Sequence, residues 1–221
     1  MKILEKQGYH LLILLLLLLG VFFTARGEFL AGEFWGLTTK SWLRLSILMP
    51  VIHQVYVLIC WRAELHYGWL TKIFGEQAFS LWAAGFMILF LSRPITITGL
   101  ALANRGTLTL PGWLSWILAG GCLILVVYLL YSFKRFFGVK RALGMDHFQP
   151  EIYRDFPMVK QGIFRWTNNS MYVFGFLFFW IPGLLLNARA ALLAALFNHL
   201  YIWVHYYFTE YPDMQFIYQD K

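Results

Sequence analysis

The side chains best suited to chemistry lie in two short stretches near the C-terminal end of this 221-residue chain. The first runs Gly162-Ile163-Phe164-Arg165-Trp166-Thr167-Asn168-Asn169-Ser170-Met171-Tyr172 and continues to Gly175; the second is Thr209-Glu210-Tyr211-Pro212-Asp213-Met214. Arg165 carries a guanidinium that could hold a carboxylate, although an interfacial arginine anchoring its helix would look the same. A helix starting near Met171 would present unpaired amides suited to an anion, and Asn169 or Ser170 could instead cap it. Glu210 is a carboxylate at the end of an apolar helix, able to bind an ammonium or ribose or to help take a proton from an attacking amine. Pro212 should end that helix.

These stretches need membrane helices to bring them together. The chain is 60% hydrophobic and 13% charged, against about a quarter charged for ordinary soluble domains. Near-continuous apolar runs at about 9–25, 41–62, 77–103, 112–133, 171–186 and 188–207 predict an all-α polytopic membrane protein with five to six transmembrane helices. The last two, joined around Pro182, Asn187 and Arg189, should form a C-terminal helical hairpin that returns the second stretch to the first. The chain reads as one integral membrane domain over 1–221, with N-terminal spans over 1–111 and the chemistry-bearing core over 112–221. Lys134, Arg135, Lys140, Arg141, Arg154, Lys160 and Arg165 crowd the connection at 134–170, whereas 104–111 has only Arg105. That asymmetry predicts a cytoplasmic 134–170 loop, with both termini on the same side.

Other readings are weaker. The net charge of +7 suits basic loops on a membrane better than nucleic acid, which is not expected as a partner. Cys60 and Cys122 sit in apolar runs without CxxC spacing, so neither a disulfide nor a metal clip is expected. The apolar stretch after Lys2 and Lys6 lacks a good cleavage site and reads as an uncleaved first span. His199 and Glu210 share a helix face but lie about 16 Å apart, and His205 points elsewhere, so no metal is expected. Asn198, Tyr201, His205 and Thr209 form a polar stripe leading to Glu210; His205 is a site-lining candidate and His199 an interhelical hydrogen-bonding partner. His53 and Gln54 suggest packing around a kink at Pro50. Arg93-Pro94 interrupts the third span, where a helix end or a snorkelling arginine is expected, with a lipid-phosphate contact behind it. The basic, aromatic run 134–148 could be an anchor or could draw anionic headgroups, and Asp146-His147 beyond it could reach a reacting group.

The two stretches together resemble the intramembrane methyltransferases that act on phospholipid amines and on isoprenylcysteine. Gly162, Phe164, Met171, Tyr172 and Gly175 fit the family's first motif, and Glu210, Pro212 and Met214 fit its second. Asn168, Asn169 and Ser170 stand where the family has Arg, His and Pro; Tyr211 replaces a second Glu and Gln219 a Gly. The resemblance implies S-adenosylmethionine as cofactor, bound through Arg165, Asn168, Asn169, Tyr172, Gly175 and Glu210, with Glu210 and His205 catalytic. It also implies a membrane lipid as acceptor, most closely the amine of phosphatidylethanolamine, at the cytoplasmic face of a bacterial inner membrane or endoplasmic reticulum. Isoprenylcysteine carboxylate or a small thiol is an alternative acceptor. An NADPH-dependent sterol or steroid reductase shares a similar C-terminal layout, and a non-catalytic membrane adaptor could retain the fold without the site. Asp213 has no counterpart in the matched pattern and is expected to face water.

Overall fold

A computed structural model describes residues 2–218, so Gln219 lies outside the described residues. Four helical stretches, Gln7–Thr24, Thr39–Tyr67, Trp69–Ala103 and Gly112–Phe137, are long and apolar enough to cross a membrane, and Met171–Leu185 is a shorter apolar one. In chain order the elements are α1 (Gln7–Thr24), β1 (Glu33–Phe34), β2 (Leu37–Thr38), α2 (Thr39–Tyr67), α3 (Trp69–Phe74), α4 (Ala78–Ala103) and α5 (Gly112–Ser132). Short helices α6 (Val139–Ala142), α7 (Met145–Phe148) and α8 (Pro150–Tyr153) occupy the basic loop. Then come α9 (Ile181–Leu185), α10 (Arg189–His205) and α11 (Tyr211–Tyr218). Among the described residues the regular structure is helical apart from the β1–β2 hairpin, a two-stranded antiparallel turn that hydropathy alone does not reveal.

The outward faces of α1 and α5 expose rows of Leu, Ile, Val and Trp, as expected of helices whose solvent is hydrocarbon. Small residues on α10, Ala190, Ala191, Ala194 and Ala195, are fully buried and let it sit at the centre of the bundle against α2 and α4. One proline explains a polar contact made in this interior. Pro50 has no N–H to give the carbonyl one turn back, and that carbonyl, Ser46 O, accepts from Asn198 Nδ2 at 3.3 Å. Arg93 corrects the expectation of a snorkelling or helix-end residue. Helix α4 continues through Pro94, and the Arg93 side chain points inward at 2% exposure. Its Nε donates to Asn198 Oδ1 at 3.0 Å, and its guanidinium lies over the rings of Phe176 and Phe179.

The connection into α10 is built by a helix-ending motif. Asn187 adopts φ +48°, its N–H bonds to Leu184 O, and Ala188 N bonds to Gly183 O. This 5→2 and 6→1 pair is the pattern asparagine tolerates where glycine is usual. The amides at the start of α10 find acceptors on the α4–α5 connection: Ala190 N on Asn104 Oδ1 at 2.9 Å and Arg189 N on Thr107 Oγ1 at 3.2 Å. Residues 171–185 then run back along α10, with Tyr172 against Trp203, and Phe176 and Trp180 against His199. His199 is the interhelical partner anticipated, accepting from Trp180 Nε1 at 3.2 Å.

Candidate active site

At the end of the bundle where α10 meets the basic loop, a cavity of about 80 Å³ is enclosed by both motifs and by α7. Its polar wall comprises Arg141, Asp146, His147, Asn168, Asn169, Tyr172, Glu210 and Tyr218, and its apolar wall includes Trp61, Phe137, Phe164 and Met214.

The two motifs meet through one hydrogen bond, from Tyr172 Oη to Glu210 Oε2. Glu210 closes a wide turn, Tyr206–Glu210, that follows α10 and leads directly into α11. Burial raises its carboxyl, against the Tyr172 hydrogen bond and the charge of His147, to about 7. It is therefore poised to exchange a proton near neutrality.

The first motif is held by the end of α5. Gly162, at φ +59°, passes so close to Ser132 and Phe136 that a side chain there would collide with both. Ser132 Oγ accepts from Ile163 N at 3.1 Å, and Ser170 Oγ donates to Ile163 O at 2.9 Å and to Thr167 O at 2.7 Å. Ser170 thus closes its own loop and makes no cap, correcting one expectation. No side chain caps the helix at Met171, and the amides of Tyr172 and Val173 are taken up by Asn169 O. They are not free for an anion.

Helix α7 is fastened to the N-terminal spans. Trp82 Nε1 donates to Leu143 O at 2.8 Å, Gly144 packs on the edge of Trp61, and the His147 imidazole stacks on Trp61 with centroids 4.2 Å apart. His147 Nδ1 lies 2.9 Å from Asp146 Oδ1, and Tyr218 Oη donates to Asp146 Oδ2 at 2.9 Å. The other ring nitrogen faces Asp213 Oδ2 at 3.7 Å, an ion-pair distance longer than a hydrogen bond. Burial alone would lower the imidazole, but the Asp146 and Asp213 carboxylates outweigh it and raise His147 to about 9. His147 in turn holds Asp146 below the usual carboxylate range against its burial. The chain therefore presents a protonated His147 between two carboxylates beside Glu210.

The remaining sequence candidates fall in different places. Asn168, Asn169, Tyr172 and Glu210 reach the cavity wall. Arg165 is exposed beside Trp166, outside that wall, whereas Arg141, which lies over Phe137 and Tyr218, is part of it. Gly175 faces Leu129 of α5. His205 is buried, its ring 6.1 Å from the Trp61 indole, and unlike that tryptophan it does not line the cavity. Asp213 corrects the expectation of a water-facing acid: it is 3% exposed and paired with Arg62 at 3.0 Å. Arg62 is not a sequence candidate; an arginine five residues before the end of a long apolar helix, 151 positions from its partner, carries no local signal.

Among the described residues no group of three or more His, Cys, Asp or Glu is arranged to hold a metal ion. Residues 114–221 match the family model described as phospholipid methyltransferase, which bears out the resemblance to an intramembrane methyltransferase family. No curated protein and no solved structure matches the chain.

Proposed function

We propose that this protein transfers a methyl group from S-adenosylmethionine to the headgroup amine of a membrane phospholipid, phosphatidylethanolamine being the favoured acceptor. The observation that carries this reading is the Tyr172–Glu210 contact, which joins the two family motifs at one cavity beside Asp146 and His147. We read 171–185 and 189–205 as a terminal hairpin added to the four long apolar helices, for five to six crossings, with 112–221 as the catalytic core. The basic residues of 134–170 support a cytoplasmic site, open to a water-soluble cofactor.

The residues fit S-adenosylmethionine by type. Glu210 would take its ammonium, Arg141 its carboxylate, and Asn168 and Asn169 its hydroxyls, with Trp61, Phe137 and Phe164 offering ring faces. The cofactor supplies an already activated methyl group on a sulfonium. What this chain adds is alignment and exclusion of water, since in-line attack needs little covalent help. Glu210 in its ionised form accepts the proton the amine must lose, and Tyr172 orients that carboxylate. At about 80 Å³ the cavity is smaller than the ~300 Å³ at the low end of small-molecule sites, so its wall must part on binding.

The test is to incubate the purified protein with radiolabelled S-adenosylmethionine and a total lipid extract and to separate the products. Label in phosphatidylethanolamine derivatives supports the proposal, and Glu210→Gln should reduce it by about a hundredfold or more. Label in no lipid or thiol, together with no cofactor binding, would sink the enzyme reading.

A further inference from the structure

The second motif contains a proline, and that proline leaves a gap. Pro212 has no N–H for the carbonyl one turn earlier, Phe208 O, and a buried carbonyl without a partner is costly. Phe208 O is nevertheless satisfied from another part of the chain: Gln7 Nε2 donates to it at 2.9 Å and Arg62 Nη2 at 3.2 Å. Arg62 Nη2 also reaches Thr209 O at 3.2 Å, and Nε reaches both Asp213 oxygens at 3.0 and 3.2 Å. Nη1 is spent on Ile3 O and Glu5 O at 3.0 and 2.8 Å. The guanidinium has acceptors for all five of its N–H groups, at 1% exposure. Three of the groups it holds, Phe208 O, Thr209 O and the Asp213 carboxylate, flank Glu210 on both sides in the chain.

We propose that Arg62 is a positioning residue for the methyl transfer: it fixes the tail that carries Glu210 and Met214 by binding the backbone that Pro212 leaves unpaired. This rests on the methyltransferase reading above. It also places an essential part of the site outside residues 114–221, the stretch that matches the family. Arg62 holds the turn without lining the cavity, so it acts through Glu210 and not on the reactants. Only a planar fork with five donors satisfies this geometry; a lysine at 62 would keep a charge near Asp213 but could not span the carbonyls.

The experiment is hydrogen exchange by mass spectrometry on the full-length protein in lipid nanodiscs, comparing wild type with Arg62→Gln and Arg62→Lys, alongside calorimetric binding of S-adenosylmethionine. Loss of these charge-assisted bonds should speed exchange at the amides of 209–218 by about tenfold or more and weaken cofactor binding by a similar factor. Exchange in α5 should be unchanged, which a general loss of stability would not spare. Arg62→Lys should fall between the two. If Arg62→Gln does not fold, Arg62→Lys decides alone: wild-type exchange and binding in that variant overturn the proposal. Unchanged tail exchange in a folded Arg62→Gln overturns it as well. If wild type binds no cofactor, the methyltransferase reading fails, and the exchange measurement still decides whether Arg62 holds the tail.

Discussion

Two arginines are buried in this bundle, and they are buried on different terms. Arg62, near the end of α2, meets a carboxylate and four carbonyls and has no N–H to spare. Arg93, deep in α4, meets Asn198 Oδ1 at 3.0 Å and His53 Nδ1 at 3.4 Å, lies over two phenylalanine rings, and leaves Nη2 without a hydrogen-bond partner. The first is a full ion pair beside the site. The second is a cation held by dipoles and aromatic faces. A charge withdrawn from water must be repaid by neighbours, and the chain spends its complete set of acceptors where a catalytic tail has to be kept still.

Substitution should separate the two most sharply in stability. Arg62→Met leaves the buried Asp213 with only the more distant His147, 3.7 Å away, and strips four carbonyls of a donor, and should cost about 3–5 kcal/mol, whereas Arg93→Met removes a charge with no carboxylate to strand and should cost about 1–2 kcal/mol. Denaturant titration in mild detergent reads both, and equal losses would erase the distinction. Asp213→Asn should fall below Arg62→Met in the same titration, because Arg62 keeps its four carbonyls.

A third way to sharpen the contrast is pH. His147 is raised from 6.5 to about 9 by Asp146 and Asp213 against its burial, so its contribution to stability is full below about pH 6.5 and is lost as pH rises through about 9. His147→Gln should flatten the fall in melting temperature across that window. A wild-type profile already flat between 6.5 and 9 would show that the imidazole is not held in its charged form. The smallest effect is expected at Arg165, exposed beyond the cavity wall: Arg165→Ala should change S-adenosylmethionine affinity by less than about threefold, since a solvated charge contributes little. A larger loss by calorimetry would bring Arg165 into the site in place of Arg141.

What could be read in advance followed the range of each interaction. Apolar runs are local, so the helices at 7–24, 39–67, 78–103 and 112–132 fall close to the spans expected from hydropathy. Motifs are local too, and Tyr172 and Glu210 do meet. Asp213 was misplaced because its environment is made by Arg62, and Arg93 because an arginine beside a proline looks like a helix end when Asn198 is not in view. Ser170 was open between capping and other roles for a related reason: its acceptors, Ile163 O and Thr167 O, exist only once Gly162 has turned the loop. In the sequence Arg141 is one charge of the basic loop; its place at the cavity follows from Trp82 and Trp61 docking that loop, which no pattern in 134–148 encodes.

Helix α10 behaves as a rod pinned along its length. Asn104 and Thr107 hold its first amides, Asn198 and Tyr201 tie its middle to α2 and α1, and Arg62 with Gln7 grips the turn beyond its end. A rod fixed at three stations cannot slide along its axis or tilt without breaking several bonds at once, so it makes a poor door. The opposite side of the cavity, 137–159, is built of three helices of one turn each, joined by short bends. Whatever enters must therefore displace the part of that side beyond α7, because α7 itself is held by Trp61 and Trp82, with α10 as the jamb.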